Sequence, residues 1–171
     1  MDNVYLKKLN LEDAKEEYEF LSEFESENGF DNPVHNMDLY TFLNSFIPTR
    51  EKYKKGINLP EGRVPDTYYL LWVDNKVVGL FKVRHYLNDR LKETSGHIGF
   101  GIKKECRRQG LGTIGLKLAI EELKKKDDFK EDEVYLSCLK DNIASYKTQL
   151  AVGAYLHHED DKHYYLRVKV K

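Results

Sequence analysis

The first third of the chain shows one short strand pattern and two helical patterns of hydrophobic residues. Val4 to Leu9 predicts a short strand. Residues 11 to 27 are predicted to form an amphipathic helix that Asn10 caps and the Asn28-Gly29 pair ends. A second helix follows, and Pro48 is expected to bend or break it because proline lacks an amide hydrogen. The apolar side of this second helix consists of Leu39, Phe42, Leu43 and Phe46.

After residue 65 the pattern changes to strands, and residues 56–66, with their glycines and prolines, form the loop between the two parts. Residues 134–139 are a near-continuous apolar run, which is typical of the middle of a sheet. The order of elements is β, α, α, β, β, β, α, β, α, β, β, and this order predicts a mixed α/β fold. Strands are predicted over residues 67–73, 77–83, 97–102 and 134–139, a helix over residues 110–126, and a closing hairpin over residues 155–158 and 164–170. A further helix is predicted to start at Asp141 or Asn142 and to end at Gly153, with Ile143, Tyr146 and Leu150 on its apolar side.

Composition and charge limit the class of protein. The chain has 171 residues, so we expect one domain over residues 1–171. Its 28 basic and 29 acidic residues give a formal net charge of -1, without the basic excess that is typical of nucleic-acid binders. No apolar run reaches the roughly 18 residues of a membrane helix, and the first residues lack the apolar core of a signal peptide. We therefore expect a cytoplasmic monomer or homodimer that binds neither nucleic acid nor membrane.

The most informative segment is the loop between the strand that ends at Ile102 and the helix that begins at Gly110. Free N–H groups at a helix N-terminus favour anions, and the helix dipole adds to this preference. Gly110 and Gly112 allow a phosphate to approach the backbone because they have no Cβ. Arg107 and Arg108 add cationic donors beside it. The loop therefore predicts a binding site for a pyrophosphate group.

Gly110, Gly112 and Gly115 also match the G-x-G-x-x-G spacing of dinucleotide-binding proteins. That fingerprint places its first glycine at the end of the strand, whereas seven residues separate Ile102 from Gly110. It also needs an acidic residue about 20 positions further on, and Asp141 lies too far along the chain. Too few residues remain for further βα units. The sequence therefore disfavours a dinucleotide site.

The same segment resembles the central motif of the GNAT superfamily of N-acetyltransferases, (Q/R)-x-x-G-x-(G/A). Arg107, Gly110 and Gly112 occupy its fixed positions, and Phe100-Gly101-Ile102 matches the apolar-x-apolar step of the preceding strand. The resemblance covers residues 66–170 and, loosely, the N-terminal elements. The next motif of the family is an Asn, a small residue three positions later and a Gly eleven positions later, here Asn142, Ser145 and Gly153.

The resemblance implies a fold, a cosubstrate and a reaction. The implied fold is a central mixed, mostly antiparallel sheet with two splayed parallel central strands, flanked by helices. Acetyl-CoA would lie between the splayed strands, and its acetyl group would pass to a primary amine by direct aminolysis of the thioester. The residues that the resemblance implies in acetyl-CoA binding are Phe100, Gly101, Ile102, Arg107, Arg108, Gln109, Gly110, Leu111, Gly112, Thr113, Asn142 and Ser145.

The catalytic residues are less well defined by the sequence. Many members of the family place a tyrosine seven positions after the Asn to protonate the CoA thiolate, but this chain has Gln149 there. Tyr146 is an alternative donor, although packing in the core beside the other apolar residues of its helix is the simpler interpretation. His85 and His97 lie at strand ends and are candidate general bases; strand-end histidines without a catalytic role are the alternative. Because the tyrosine is missing, a non-catalytic acyl-CoA-binding module is the alternative function.

The remaining cysteines and histidines predict no further chemistry. Cys106 stands beside Arg107, which favours a thiolate, but no histidine is positioned to support a covalent mechanism. Cys138 lies within an apolar strand and is expected in the core. Residues 157–163 indicate a polar hairpin turn, and we expect no metal site. No motif identifies the acceptor, which is either a small-molecule or a peptide amine.

Overall fold

The computed structural model describes residues 3–171, in which strands and helices alternate. The strands are β1 (Val4–Lys8), β2 (Asp66–Val73), β3 (Lys76–Arg84), β4 (Ile98–Ile102), β5 (Glu133–Leu139), β6 (Tyr155–Glu159) and β7 (His163–Lys169). The helices are α1 (Ala14–Glu23), α2 (Leu39–Thr41), α3 (Ile47–Lys54), α4 (Asp89–Lys92), α5 (Leu111–Lys124) and α6 (Ile143–Ala151). A π-helical turn, Phe42–Phe46, joins α2 to α3, and a 3₁₀ turn, Lys104–Cys106, precedes α5.

The strands form two antiparallel sheets that meet at β4 and β5. One sheet has the order β1-β2-β3-β4 and the other the order β5-β7-β6. The N–H of His97 donates to the carbonyl of Tyr135 at 2.7 Å, near the start of both strands. Across residues 3–171 no ladder continues from this contact, so β4 and β5 separate beyond it. This arrangement confirms the expected splayed pair of parallel central strands.

Alternation along β3 directs side chains into two separate cores. Phe81 and Val83 face α5 and pack with Leu116 and Leu123, whereas Leu80 faces the N-terminal helices. Helix α5 approaches β3 closely, since a Cβ at Gly115 would overlap the ring of Phe81. The sheet that ends in β4 is therefore covered on one face by α5 and on the other by α1, the π-helical turn and α3.

Two predicted helices differ from the structure at their N-terminal sides. Helix α1 begins at Ala14 because the side chain of Asn10 accepts the N–H of Asp13 at 2.9 Å and holds residues 10–13 in a turn. The predicted second helix continues through Pro48 rather than breaking there. Pro48 has no N–H to donate to the preceding turn, and the π-helical turn before it, in which Ile47 donates to Phe42 five residues earlier, accommodates the missing bond.

The predicted apolar side of α6 was wrong. Ile143 and Leu150 are 59% and 41% exposed, while Gln149 is buried. The buried Gln149 faces a backbone carbonyl of β5, and its polar amide satisfies that carbonyl. Strand β5 also differs from the prediction, because only alternate residues are fully buried and its edge faces β4 across the gap.

Candidate functional site

The edge of β4 that faces the gap carries unpaired backbone groups. Lys103 donates its N–H to Val78 and Arg84 donates its N–H to His97, both at 2.8 Å. In an antiparallel ladder hydrogen-bonded pairs alternate with non-hydrogen-bonded pairs. Phe100 and Ile102 lie between these bonds and pair with β3 without hydrogen bonds, so their N–H and carbonyl groups point away from β3. The carbonyl of Ile102 accepts from Nε of Arg107, which leaves the N–H of Ile102 and both backbone groups of Phe100 open toward the gap.

A cluster of N–H groups lies at the end of this edge, where α5 begins. Arg108 and Gly110 have positive φ angles of 61° and 77°, so the loop turns sharply before the helix. The first helical bond is donated by Ile114 to the carbonyl of Gly110 at 3.0 Å. Across residues 3–171 no protein acceptor is found for the backbone N–H groups of residues 108–113. Such a set of free donors at a helix N-terminus is suited to a phosphate or pyrophosphate.

Gly112 is not required by the packing of the protein itself. A Cβ at this position would lie 3.6 Å from the side chain of Thr148 and 3.9 Å from Ile102, which are ordinary contacts, and its φ is not positive. The packing of the fold therefore does not explain why residue 112 is a glycine. Its lack of a side chain leaves the space in front of the free N–H groups open.

Arg107 has a different place from the one that the sequence suggested. Its Nε donates to the carbonyl of Ile102 at 2.8 Å, and its two terminal nitrogens donate to the carboxylate of Glu27 at 3.2 and 2.8 Å. The guanidinium lowers the pKa of Glu27. Arg107 thus ties the loop to β4 and to the segment after α1, whereas Arg108 is exposed and has no ion pair within residues 3–171. Arg108 is the cation that is free to meet a phosphate.

Asn142 and Ser145 lie at the start of α6, on the other side of the gap. The side chain of Asn142 accepts the N–H of Ser145 at 3.2 Å and so caps the helix. Gln149 donates its side-chain amide to the carbonyl of Ser137 at 3.0 Å and to the hydroxyl of Ser145 at 3.1 Å. Its Oε1 is buried and has no partner among the described residues. The Asn motif therefore fixes α6 against β5.

Tyr146 lies one turn before Gln149. Its ring is half-buried and packs on the ring of Tyr164, with the centroids 4.5 Å apart. Its hydroxyl makes no hydrogen bond to residues 3–171. The geometry supports the packing interpretation of the ring and leaves the hydroxyl available.

The two histidines that were considered as bases are both buried at the closed end of the gap. His97 is 0% exposed, and its Nδ1 accepts the N–H of Tyr135 at 2.9 Å. Burial lowers the pKa of His97 to about 3. His85 is bound through Nε2 to Thr67 at 2.8 Å and through Nδ1 to Asp128 at 3.1 Å, and burial also lowers its pKa. These contacts hold both rings within the fold.

A group of charged residues that sequence reasoning did not single out lies on the other face of β4's sheet. Arg50 pairs with Asp66 and stacks on Tyr68, with its guanidinium carbon 3.9 Å from the ring centroid. Lys82 lies over Phe30 and Tyr68, and burial lowers its pKa to about 8. The available signal was the alternation of Lys82 with apolar residues in a strand that is otherwise buried.

Neither a cluster of metal ligands nor a membrane-spanning helix occurs among the described residues. Between residues 3 and 171 no group of three histidine, cysteine or acidic side chains is arranged to hold a metal ion. Within that range no helix is both long enough and apolar enough to span a bilayer.

Known proteins resemble this chain in sequence and in structure. The model of the acetyltransferase (GNAT) family matches residues 18–149. The chain belongs to this family. The membership confirms the resemblance and the enzyme class that the motifs indicated. The match spans the loop before α5 and, in α6, Asn142 and Ser145, but it ends before Gly153. No protein of curated function matches the sequence significantly.

Solved structures show how far the fold is shared. An acetyltransferase of the GNAT family from Streptococcus pneumoniae is 14% identical with a TM-score of 0.64, over 98% of this chain and 100% of that chain. A microcin self-immunity acetyltransferase, in complex with acetyl-CoA and AMP, is 16% identical with a TM-score of 0.69, over 99% and 94%. An aminoglycoside acetyltransferase, in complex with coenzyme A and kanamycin, is 13% identical with a TM-score of 0.64, over 98% and 95%. These similarities concern the fold, and they do not identify an acceptor.

Proposed function

We propose that this protein transfers the acetyl group of acetyl-CoA to a primary amine by direct attack of the amine on the thioester. The observation that carries the proposal is the continuity of two sets of free backbone groups. The open edge of β4 at Phe100 and Ile102 leads directly to the free N–H groups of residues 108–113. An extended pantetheine arm that ends in a pyrophosphate needs such an edge followed by such a cluster. The complexes of the structural relatives with acetyl-CoA or coenzyme A support this choice of cosubstrate.

Each part of the cosubstrate has matching groups in the protein. The pantetheine amides would pair with the backbone of Phe100 and Ile102, with Gly101 between them. The pyrophosphate would accept from the N–H groups of the loop and α5 and from the side chain of Arg108. Asn142 and Ser145 would close the gap from the side of α6. These residues include Gln109, Gly110, Leu111, Gly112 and Thr113 from the loop and first turn of α5.

The reaction forms a nitrogen–carbon bond and breaks the carbon–sulfur bond of the thioester. The attacking amine must be neutral, and deprotonating a lysine-like amine at pH 7 costs about 4.6 kcal/mol. A backbone N–H on the open edge of β4 would stabilise the oxyanion that develops on the carbonyl, an effect that contributes a few kcal/mol in other acyl transfers. Gln149 cannot protonate the departing thiolate, because its amide does not ionise and already donates to Ser137 and Ser145. We therefore propose that water takes the proton from the amine and supplies one to the thiolate.

A thermal-shift measurement combined with a thiol-release assay tests the proposal. At one hundred times its dissociation constant, acetyl-CoA should stabilise the protein by about 2.7 kcal/mol, which raises Tm by roughly 5 to 11 °C, while NAD should have no effect. A panel of small-molecule and peptide amines should then release free CoA. A shift with acetyl-CoA but no turnover with any amine would instead favour the non-catalytic acyl-CoA-binding module. The expected cytoplasmic location and monomeric or dimeric state stay predictions.

A further inference from the structure

Four cationic side chains converge on the face of the sheet that α3 covers. We name Arg50, Arg63, Lys82 and Arg84 the basic cluster. Arg50 and Arg63 both lie near the ring of Tyr53, at 5.3 and 5.8 Å. Lys82 and Arg84 are alternate residues of β3, so both side chains leave the strand on the face opposite to Phe81. Burial is the main cause of the shifted pKa values of Lys82, Arg84 and Tyr68, and the neighbouring charges of the cluster also act on them.

The positive charge of the basic cluster is only partly balanced, because the carboxylates of Asp31 and Asp66 act on four cations. Asp66 pairs with Arg50, and Asp31 is engaged through its side chain with Ser26 at 3.2 Å. Lys82 donates only to the backbone carbonyl of Asp31, and Arg84 donates to that of Gly96 at 3.0 Å. Neither Lys82 nor Arg84 makes a salt bridge within residues 3–171.

A second observation indicates that a partner is missing. Arg50 is only 6% exposed, and its Nε is buried with no hydrogen-bond partner among the described residues. Leaving a buried donor unsatisfied costs free energy, and native proteins keep such groups for a ligand, a bound water or a functional role. Aromatic rings on either side of the cations exclude water and so strengthen their attraction for an anion.

The basic cluster lies next to the place where the reaction would occur. Lys82 pairs in register with Gly99 of β4, and Arg84 is opposite His97 at the closed end of the gap. Neighbouring strands are about 4.8 Å apart, so Lys82 and Arg84 leave the sheet about one strand spacing from β4. Gly99 has no side chain, and the ring of Phe30, over which Lys82 lies, covers it at 3.4 Å from the position of a Cβ.

We propose that the basic cluster binds an anionic group of the acceptor, so that the acceptor is an amine with a carboxylate or phosphate a few bonds from its nitrogen. Lys82 and Arg84 would bind the anion directly, and Arg50 would orient it from the buried side. The choice of acceptor class rests on the proposed acetyl transfer, whereas binding of the anion does not. An acceptor with several positive charges would be repelled by the same cluster.

Matched pairs of amines test the acceptor class. O-phosphoethanolamine is compared with ethanolamine, and β-alanine with β-alaninamide, by thiol release and by calorimetric titration of the CoA-saturated protein. The anionic member of at least one pair should have a kcat/KM, and an affinity, at least tenfold higher than its neutral counterpart, and the better pair identifies carboxylate or phosphate. Equal use of both members, or turnover confined to neutral or polycationic amines, overturns the inference while the proposed function stands. If no amine is turned over, the proposed function fails, and the titration alone decides whether anions are bound.

Substitution of Lys82 locates the effect. Lys82→Gln should raise KM for the anionic acceptor at least tenfold, with kcat, KM for acetyl-CoA and Tm little changed, because Nζ contacts only one carbonyl and two rings. Lys76→Gln is the matched control, since Lys76 is an exposed lysine at the start of the same strand. An unchanged KM in a folded Lys82→Gln protein, or an equal change in Lys76→Gln, would overturn the assignment of the cluster.

Discussion

Two regions of the molecule offer groups that could bind a ligand, and the groups differ in kind. On the edge of β4 that faces the gap they are backbone groups of Phe100, Ile102 and residues 108–113, whereas on the face that α3 covers they are side chains of the basic cluster. Backbone groups are the same in every protein, so the gap edge needs only glycines and a helix start to become a binding site. Glycines and a helix start are visible in the sequence as a local motif. The basic cluster combines α3, the following loop and β3, which are brought together only by folding. This difference explains why the cosubstrate can be inferred from the sequence and the acceptor cannot.

Gly112→Asp should have the largest effect, because it tests the backbone donors at the start of α5. The carboxylate would occupy the N–H groups that we assign to the pyrophosphate and would repel the phosphates. The dissociation constant of CoA should rise about a hundredfold or more, which is about 2.7 kcal/mol. The fold should persist, because a Cβ at Gly112 meets only ordinary contacts.

Calorimetric titration of Gly112→Asp with CoA measures this effect. Lys117→Gln is the control, since it makes the same change in net charge on an exposed position of α5 more than one turn further along. Wild-type affinity in a folded Gly112→Asp protein would mean that CoA does not bind at the start of α5.

Gly115→Ala should have the next largest effect, on stability rather than on binding. Alanine is the better helix former by about 1 kcal/mol. Its Cβ, however, would lie within 2.6 Å of Cε2 of Phe81, whose ring is fully buried and stacked on Phe100 at 5.4 Å between centroids. Overpacking of this kind costs about 1 to 3 kcal/mol, so a net loss and a Tm lower by several degrees are expected.

Gly112→Ala is the matched control for that change, because it adds the same methyl group to the same helix where space exists. Thermal unfolding of the two variants should therefore separate them. A Gly115→Ala protein as stable as the wild type would show that α5 can move away from β3 at little cost.

The sequence predicted most strands, the helix after the glycine loop and the free N–H groups at the start of that helix, because these depend on local periodicity and backbone chemistry. It did not predict the buried side of α6, where Gln149 replaces an apolar residue to satisfy the carbonyl of Ser137. It also did not predict that Arg107 binds Glu27, which is 80 positions away in the chain. Both misses are long-range hydrogen bonds, which no spacing along the sequence encodes.

Substitutions of Arg107 and Arg108 should have smaller effects, on stability and on CoA binding respectively, although the two residues are neighbours in the motif. Arg107→Gln removes bonds to Ile102 and Glu27, and since the ion pair is partly exposed we expect a loss of about 1 kcal/mol in stability. Arg108→Gln should leave stability unchanged and weaken CoA binding about tenfold, or about 1.4 kcal/mol, with a smaller dependence on salt. Thermal unfolding and CoA titration at two salt concentrations measure both. The reverse pattern would assign the phosphate contact to Arg107.

Tyr146→Phe should have the smallest effect, and it sharpens the question of the thiolate donor. The ring packs on Tyr164 and would be retained, and the hydroxyl that is removed has no partner among the described residues. We therefore expect a maximum rate within about twofold of the wild type, whereas loss of a general acid usually lowers the rate by about a hundredfold or more. Tyr164→Phe is the control, since it removes the hydroxyl of the partner ring and keeps the same stack. If Tyr146→Phe loses most of its rate while Tyr164→Phe keeps it and both variants unfold at the wild-type temperature, Tyr146 and not water protonates the thiolate.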